Sequence, residues 1–222
     1  MRMCRTQAAF VVALAAFALL LSGCAKRKPN EPLDLTFHSL TGHVQLVGSL
    51  TAANGQFLGT RVVDDADGVP VDLLIGQNVV MRTMTSHGDY RFPTLGTGSY
   101  TTRSVVFGSV ADSTPTLTVA TTDVVAAHVL RLASAGDLYP APNPIDARGQ
   151  VTFEVLDDVT ARFQVRNTRT EVVRTITTAF YTAGVHSTFW DGRDDTLGVM
   201  PPGYYWITFE SGTDRRAQLL FK

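Results

Sequence analysis

The chain has 222 residues, with 19 Lys and Arg against 20 Asp and Glu, a formal net charge of −1 and 45% hydrophobic residues. That composition supports a folded core and lacks the basic surplus through which nucleic-acid binding usually shows, so nucleic acid is not expected as a partner. Its two cysteines, Cys4 and Cys24, both fall near the start of the chain, and no internal disulfide is expected beyond them.

Arg2 and Arg5 precede the apolar run "AAFVVALAAFALLL", Ala8 to Leu21, which ends in "LSGC". A spanning helix needs roughly 20 apolar residues, so this shorter run reads as the core of a secretory signal. "LSGC", Leu21 to Cys24, resembles the lipobox of bacterial lipoproteins. The resemblance implies cleavage between Gly23 and Cys24, a covalent lipid on Cys24 and the membrane as a partner. Ala25, standing where an Asp would signal inner-membrane retention, resembles cargo forwarded to the outer membrane. The alternative is a plain signal peptide whose cleavage site happens to meet a cysteine. Without residues 1–23 the balance is 17 basic to 20 acidic residues, and the one basic cluster, Lys26 to Lys28, lies beside the expected lipid, where it suits anionic headgroups.

Residues 24–37, polar and containing Pro29 and Pro32, read as a tether. Beyond them Val, Thr, Phe and Tyr dominate, Gly and Pro recur at short intervals, and no apolar period of 3.6 persists for three turns. The fold class expected is all-β, as two β-sandwich domains. The boundary is expected within "LASAGDLYPAPNP", Leu132 to Pro144, because prolines lack the N–H that a sheet ladder uses. This gives a first sandwich over 38–132, a linker and domain entry over 133–149, and a second sandwich over 150–222.

In the first half, Val44 and Leu46 alternate with His43 and Gln45, and Tyr90 and Phe92 with Asp89 and Arg91, a pattern of half-buried strands. With Gly68, Pro70, Val71, Gly88, Leu95, Gly98 and Tyr100, the stretch from His38 to Leu132 resembles the carboxypeptidase regulatory-like domain. That family implies a transthyretin-like sandwich of seven strands without catalysis of its own. Val47 to Asp67 departs from it as a long insertion.

In the second half, "VTFEV" places Val151, Phe153 and Val155 on one face, and "ARFQVRN" points Ala161, Phe163 and Val165 inward, with Arg162, Gln164 and Arg166 outward. Pro142, Asn143 and Pro144, followed by Gly184, His186, Trp190, Asp191, Gly192, Asp194, Gly198, Pro202, Gly203 and Tyr204, resemble in order and spacing the FlgD Ig-like domain. The resemblance covers Asp137 to Lys222 and implies an Ig-like sandwich.

The acidic stretch "WDGRDDTLG" is the metal candidate, with Asp191, Asp194 and Asp195 as ligands for calcium. A calcium loop alternates oxygen ligands and closes on a bidentate Glu. Here Arg193 occupies the alternate slot and no Glu follows until Glu210, so a turn stabilised by Asp side chains and glycine is the expected structure, and no cofactor is expected. "VVDDADGVP" fails the same test at Val63. The five histidines lack H-E-x-x-H spacing and no serine sits in G-x-S-x-G, so no catalytic residue is assigned. Phe189, Trp190, Tyr204, Tyr205 and Trp206 read as core rather than as a sugar platform, because both alternating sets of the last strand are apolar.

The sequence therefore leads to a lipid-anchored cell-envelope protein, not an enzyme, acting as a structural, adhesion or binding module with a protein or glycan partner. The alternatives are secreted cargo whose C-terminal domain is a sorting signal of the type IX kind and, more distantly, an accessory carbohydrate-binding or enzyme-associated lipoprotein.

Overall fold

The computed structural model describes residues 36–107 and 110–222, and every regular element among them is a β-strand. The signal, Gly23, Cys24 and most of the tether lie outside the described residues. The first ten strands are β1 (His38–Thr51), β2 (Phe57–Val63), β3 (Pro70–Ile75), β4 (Asn78–Met84), β5 (Asp89–Leu95), β6 (Gly98–Val106), β7 (Val110–Ser113), β8 (Leu117–Val119), β9 (Val124–Val125) and β10 (Leu130–Ala133). The rest are β11 (Leu138–Ala141), β12 (Gly149–Val155), β13 (Val159–Arg166), β14 (Val172–Tyr181), β15 (Gly184–Trp190), β16 (Tyr204–Ser211) and β17 (Asp214–Phe221).

Strand β1 organises the first half. Its N-terminal part pairs antiparallel with β5 and parallel with β9, and its C-terminal part pairs antiparallel with β2 and parallel with β10. The facing sheet runs β4-β3-β6-β7, with β8 also on β6. Inward residues of both sheets, among them Leu40, Val44, Leu46, Val71, Leu73, Tyr90 and Phe92, are at most 2% exposed and form one core. Burying each large apolar side chain is worth about 1.5–3 kcal/mol.

The stretch Val47 to Asp67, which departs from the family pattern, is mostly strand: β1 runs on to Thr51 and turns back as β2. Ten strands occupy the span for which the family resemblance implied seven.

The second half stacks β11-β12-β15 on β14-β13-β16-β17. Val151, Phe153, Val155, Ala161, Phe163 and Val165 point inward as their alternation requires, with Phe153 and Phe163 ring centroids 4.6 Å apart. Gln164, expected outward in solvent, is only 9% exposed and takes bonds from Arg166 and, through its carbonyl, from Thr208. The proline-rich stretch is not a free linker. Pro140 lies in β11, an edge strand opposite Val151, where a missing N–H can face away from the ladder.

Strands β16 and β17 are dry on both faces from Tyr205 to Phe209 and toward Phe221. Tyr205, Ile207, Phe209 and Leu220 enter the second core, while Trp206, Ala217, Leu219 and Phe221 enter the first. This is why both alternating sets of residues are apolar. The Phe221 ring lies so close over Gly48 that a Cβ there would sit 2.8 Å from it, leaving room only for glycine. Asn143, fully buried, completes the junction: its amide donates to the carbonyls of Ser49 (2.6 Å) and Leu219 (3.0 Å), and its side-chain oxygen accepts from Phe221 N (2.8 Å).

Replacing Asn143 by Ala strands two buried backbone groups and one part-buried one, and is expected to cost about 3 kcal/mol in urea unfolding. Because β17 serves both cores, tryptophan fluorescence and far-UV circular dichroism are expected to give a single urea midpoint within each of the variants W190F and W206F, which keep one tryptophan apiece; two midpoints within either variant would contradict the shared junction.

Candidate functional site

On the sheet β5-β1-β9 the register sets Asp89 opposite His43, and Arg91 and Val125 on either side of Thr41. Tyr90, Phe92 and Leu40 take the inward positions, so the alternating residues form the outer face. Thr83, Met84 and Ser86 from the end of β4 and the following turn wall it in, making an open cleft of about 570 Å³. That volume lies within the range of small-ligand sites.

The cleft carries opposed polar functions held in place. His43 Nδ1 lies 2.7 Å from Asp89 Oδ1; a carboxylate can only accept, so this nitrogen carries the proton. The opposite ring nitrogen lies 3.8 Å from Asp64 Oδ1, toward a carboxylate rather than a nucleophilic hydroxyl. Gln45 Nε2 donates to Asp64 at 2.5 Å, and Arg131 Nε donates to Gln45 Oε1 at 2.9 Å, extending the row across β1. Beneath, Tyr90 is 2% exposed and bonds Thr102 at 2.8 Å; burial pushes its phenol up, leaving it a neutral floor. At the far end Asp123 accepts from Ser39 N at 2.6 Å, and that bond holds its carboxyl below the ordinary value. Gly88 sets the corner: its φ is +80°, and a Cβ would sit 1.9 Å from Asp64 O.

The acidic stretch of the sequence forms a different structure. Trp190, closing β15, packs edge-to-face on Tyr205 (5.2 Å) and donates its indole N–H to Arg193 O (2.8 Å). Asp191 accepts from Arg193 N at 3.2 Å. Asp194 Oδ1 collects Thr196 Oγ1 (2.7 Å), Gly198 N (2.8 Å) and Thr196 N (2.9 Å), while Asp195 turns to Thr175 N on β14 (2.9 Å). The three carboxylates thus serve three separate sets of donors, and Arg174 and Arg193 brace the loop carbonyls. Among the described residues no group of three or more His, Cys, Asp or Glu is arranged to hold a metal ion.

The remaining signature residues lie at both ends of β15 and beside the chain's last residue. Gly184 opens β15 at φ +134°, and Gly192 has φ +70° with the Lys222 side chain over its α-carbon. His186 donates through Nε2 to Thr182 O (2.7 Å) and lies against Tyr181 and Phe153. Gly203 exchanges two backbone bonds with Lys222, and Tyr204 packs on Phe221 beneath Arg61. These residues hold turns and strand ends, and the structure does not bring them to the cleft.

No family model matches the chain, and no curated protein matches it in sequence. Among solved structures it is similar to a candidate carbohydrate-binding protein from Bacteroides uniformis, at 12% identity over 82% of this chain and 99% of that one, with a TM-score of 0.34. It is also similar to DUF3823 family proteins from Bacteroides ovatus (12% identity, 84% and 98% coverage, TM-score 0.32) and Parabacteroides merdae (12%, 85% and 97%, 0.30). Overlays this loose carry no inference about ligand or activity.

The hydrogen bonds of Asp194, first from the Thr196 hydroxyl and then from the Gly198 amide, hold its carboxyl below the ordinary value of 3.8. A lowered folded value means that the loop's stabilisation is present above pH 3.8 and lost as the pH falls further, through the folded value. Asp194→Asn is expected to lower Tm at pH 7 and to flatten the fall in stability between neutral pH and pH 3. Excess Ca²⁺ is expected to leave the wild-type Tm unchanged, whereas a site in the native state would raise it.

Proposed function

We propose that this protein is a lipid-anchored, non-catalytic binding module of the bacterial cell envelope, holding a hydroxyl-rich ligand, a glycan, on the outer face of β5-β1-β9. The observation that carries the binding reading is the cleft itself. Within one small area it offers a carboxylate (Asp89), a guanidinium (Arg91), an imidazole (His43) and hydroxyls (Thr41, Thr83, Ser86), flanked by exposed Met84 and Val125. Sugar hydroxyls both donate and accept, and their C–H faces need apolar contact, so a mixed site of this kind suits them better than a site of one charge. The side chain of Asp89 is 77% exposed, open to a ligand although it already orients His43.

Anchoring rests on the signal architecture and "LSGC" before Ala25, which favour lipid on Cys24 and forwarding to the outer membrane. Several acyl chains on one residue would make that attachment stable where a single chain would not. The two-domain division at residues 133–149 and the kinship of the halves with the carboxypeptidase regulatory-like and FlgD Ig-like families belong to the same proposal, since they rest on motif residues. A C-terminal domain that serves as a separable sorting signal is disfavoured, because its last strand fills the core of the first half.

Metabolic labelling with an alkyne fatty acid is expected to mark the wild type and not Cys24→Ala; equal labelling would sink the anchoring reading. On a glycan array the full chain is expected to retain a saccharide, with Asp89→Ala and Arg91→Ala each weakening binding about tenfold or more, the worth of one charged hydrogen bond. Retention unchanged in both variants would place the ligand elsewhere.

A further inference from the structure

The face of β13-β16-β17 that packs on the first half does so only along part of its length. Trp206, Leu219 and Phe221 are covered by the first core, but toward the other end of the same strands the face carries charge. Register places Arg162 opposite Glu210 and Glu210 opposite Arg215, a row across three strands, with Arg166 further along β13 on the same face. Phe107, at the end of β6, lies over this group, with the guanidinium carbons of Arg166 and Arg215 4.8 and 5.5 Å from its ring centroid.

The charges do not balance. Glu210 is shared by Arg162 and by Arg215, the latter at 3.2 Å. Among the described residues Arg166 meets no carboxylate: its terminal nitrogens donate to Thr170 O and Gln164 Oε1, both at 2.8 Å, and its buried Nε finds no partner among them. Burial chiefly, with the like charge of Arg162 second, pushes the Arg166 guanidinium below its ordinary value, although Glu210 acts in the opposite direction. Meanwhile Arg162 and Arg215 keep about half of their side chains exposed, at 47% and 49%. Among the described residues, three guanidinium groups against one carboxylate leave a surplus of two positive charges.

We propose that Arg162, Arg166 and Arg215 form an anion site at the junction of the two halves, for a phosphoryl group. A phosphate monoester carries a charge of about −1.5 to −2 at neutral pH and a diester about −1, both within the surplus, and their oxygens accept the forked N–H pairs of arginine. Glu210 acts as the built-in competitor that holds Arg162 and Arg215 apart from a ligand until one arrives. The site shares no residue with the β5-β1-β9 cleft and does not depend on the glycan reading. Phosphoryl groups of this kind come from soluble phosphates or from lipid headgroups.

The test is calorimetric titration of the detergent-solubilised full chain, at low ionic strength, with inorganic phosphate and with a short-chain phosphatidylglycerol below its micellar concentration. Saturable binding of at least one probe is expected, tightened several-fold by Glu210→Gln and weakened about tenfold by Arg162→Gln or Arg215→Gln, both exposed positions. Tighter binding of inorganic phosphate identifies a soluble source, and tighter binding of the diester a headgroup. Failure of both probes to saturate by about 10 mM, or a Glu210→Gln variant that binds no better than wild type, would overturn the proposal. A titration in which chloride at equal ionic strength reproduces the effect would do the same, since screening alone discriminates no oxyanion.

Discussion

Much of this molecule depends on a stretch of one sheet, where β16 and β17 meet the first half, having no wet side. Strand β17 places Leu220 in one core and Ala217, Leu219 and Phe221 in the other, and β16 divides Tyr205 and Trp206 in the same way. A strand buried on both faces cannot alternate apolar with polar, so it reads as a continuous apolar run. The consequence is mechanical as well as energetic. The first half could not be removed without exposing Trp206, Leu219 and Phe221, and the second could not be removed without unroofing Gly48. Interfaces between domains are usually small and polar enough to permit hinge motion; this one is continuous with a core. Asn143 adds direction to it, since three hydrogen bonds from one buried amide admit a single relative position of β1, the proline segment and β17.

What could be read from the sequence followed local periodicity. The alternation in "VTFEV" and in "HVQL" fixes which residues face inward because a strand has a period of two, whatever its partner. The apolar character of both sets in "YYWITF" likewise excluded a solvated face, without indicating what covered it. Strand β2 was missed for a complementary reason. Apart from Val63 its residues are exposed or half-buried, so "FLGTRVV" carries no burial pattern, and Gly55 and Gly59 in the hairpin resemble loop punctuation. Strand β11 was hidden by Pro140, whose exclusion from sheets holds for central strands and not for an edge. Gln164 defeated the inward and outward rule because the outward face of β13 is itself partly roofed.

The cleft was illegible for a different reason. His43 and Asp89 are 46 residues apart, and their contact exists only because β5 returns beside β1 in one particular register. A shift of one residue would turn Asp89 and Arg91 into the core and bring Tyr90 and Phe92 out. Burying two charges in place of two aromatics is prohibitive, so hydrophobic selection of the register also positions the polar face. The cleft geometry is thus a by-product of core packing, guided at the corner by Gly88, where the approach of Asp64 O leaves no space for a side chain.

The carboxylates Asp194 and Asp89 differ in how completely their surroundings satisfy them, and that difference separates a turn from a site. Asp194 spends one oxygen on three donors of its own loop, so a ligand there would have to displace bonds already made. Asp89 has one short bond, to an imidazole, and most of its surface in water. The first arrangement stabilises a fold; the second leaves acceptor capacity for a ligand. The same criterion applies to cations. Arg174 and Arg193 are committed to loop carbonyls, whereas Arg162 and Arg215 share one carboxylate between them. Counting acidic or basic residues along the chain treats these groups alike. Counting unsatisfied hydrogen-bonding capacity separates them, because only an incompletely satisfied group has interaction energy left for a partner.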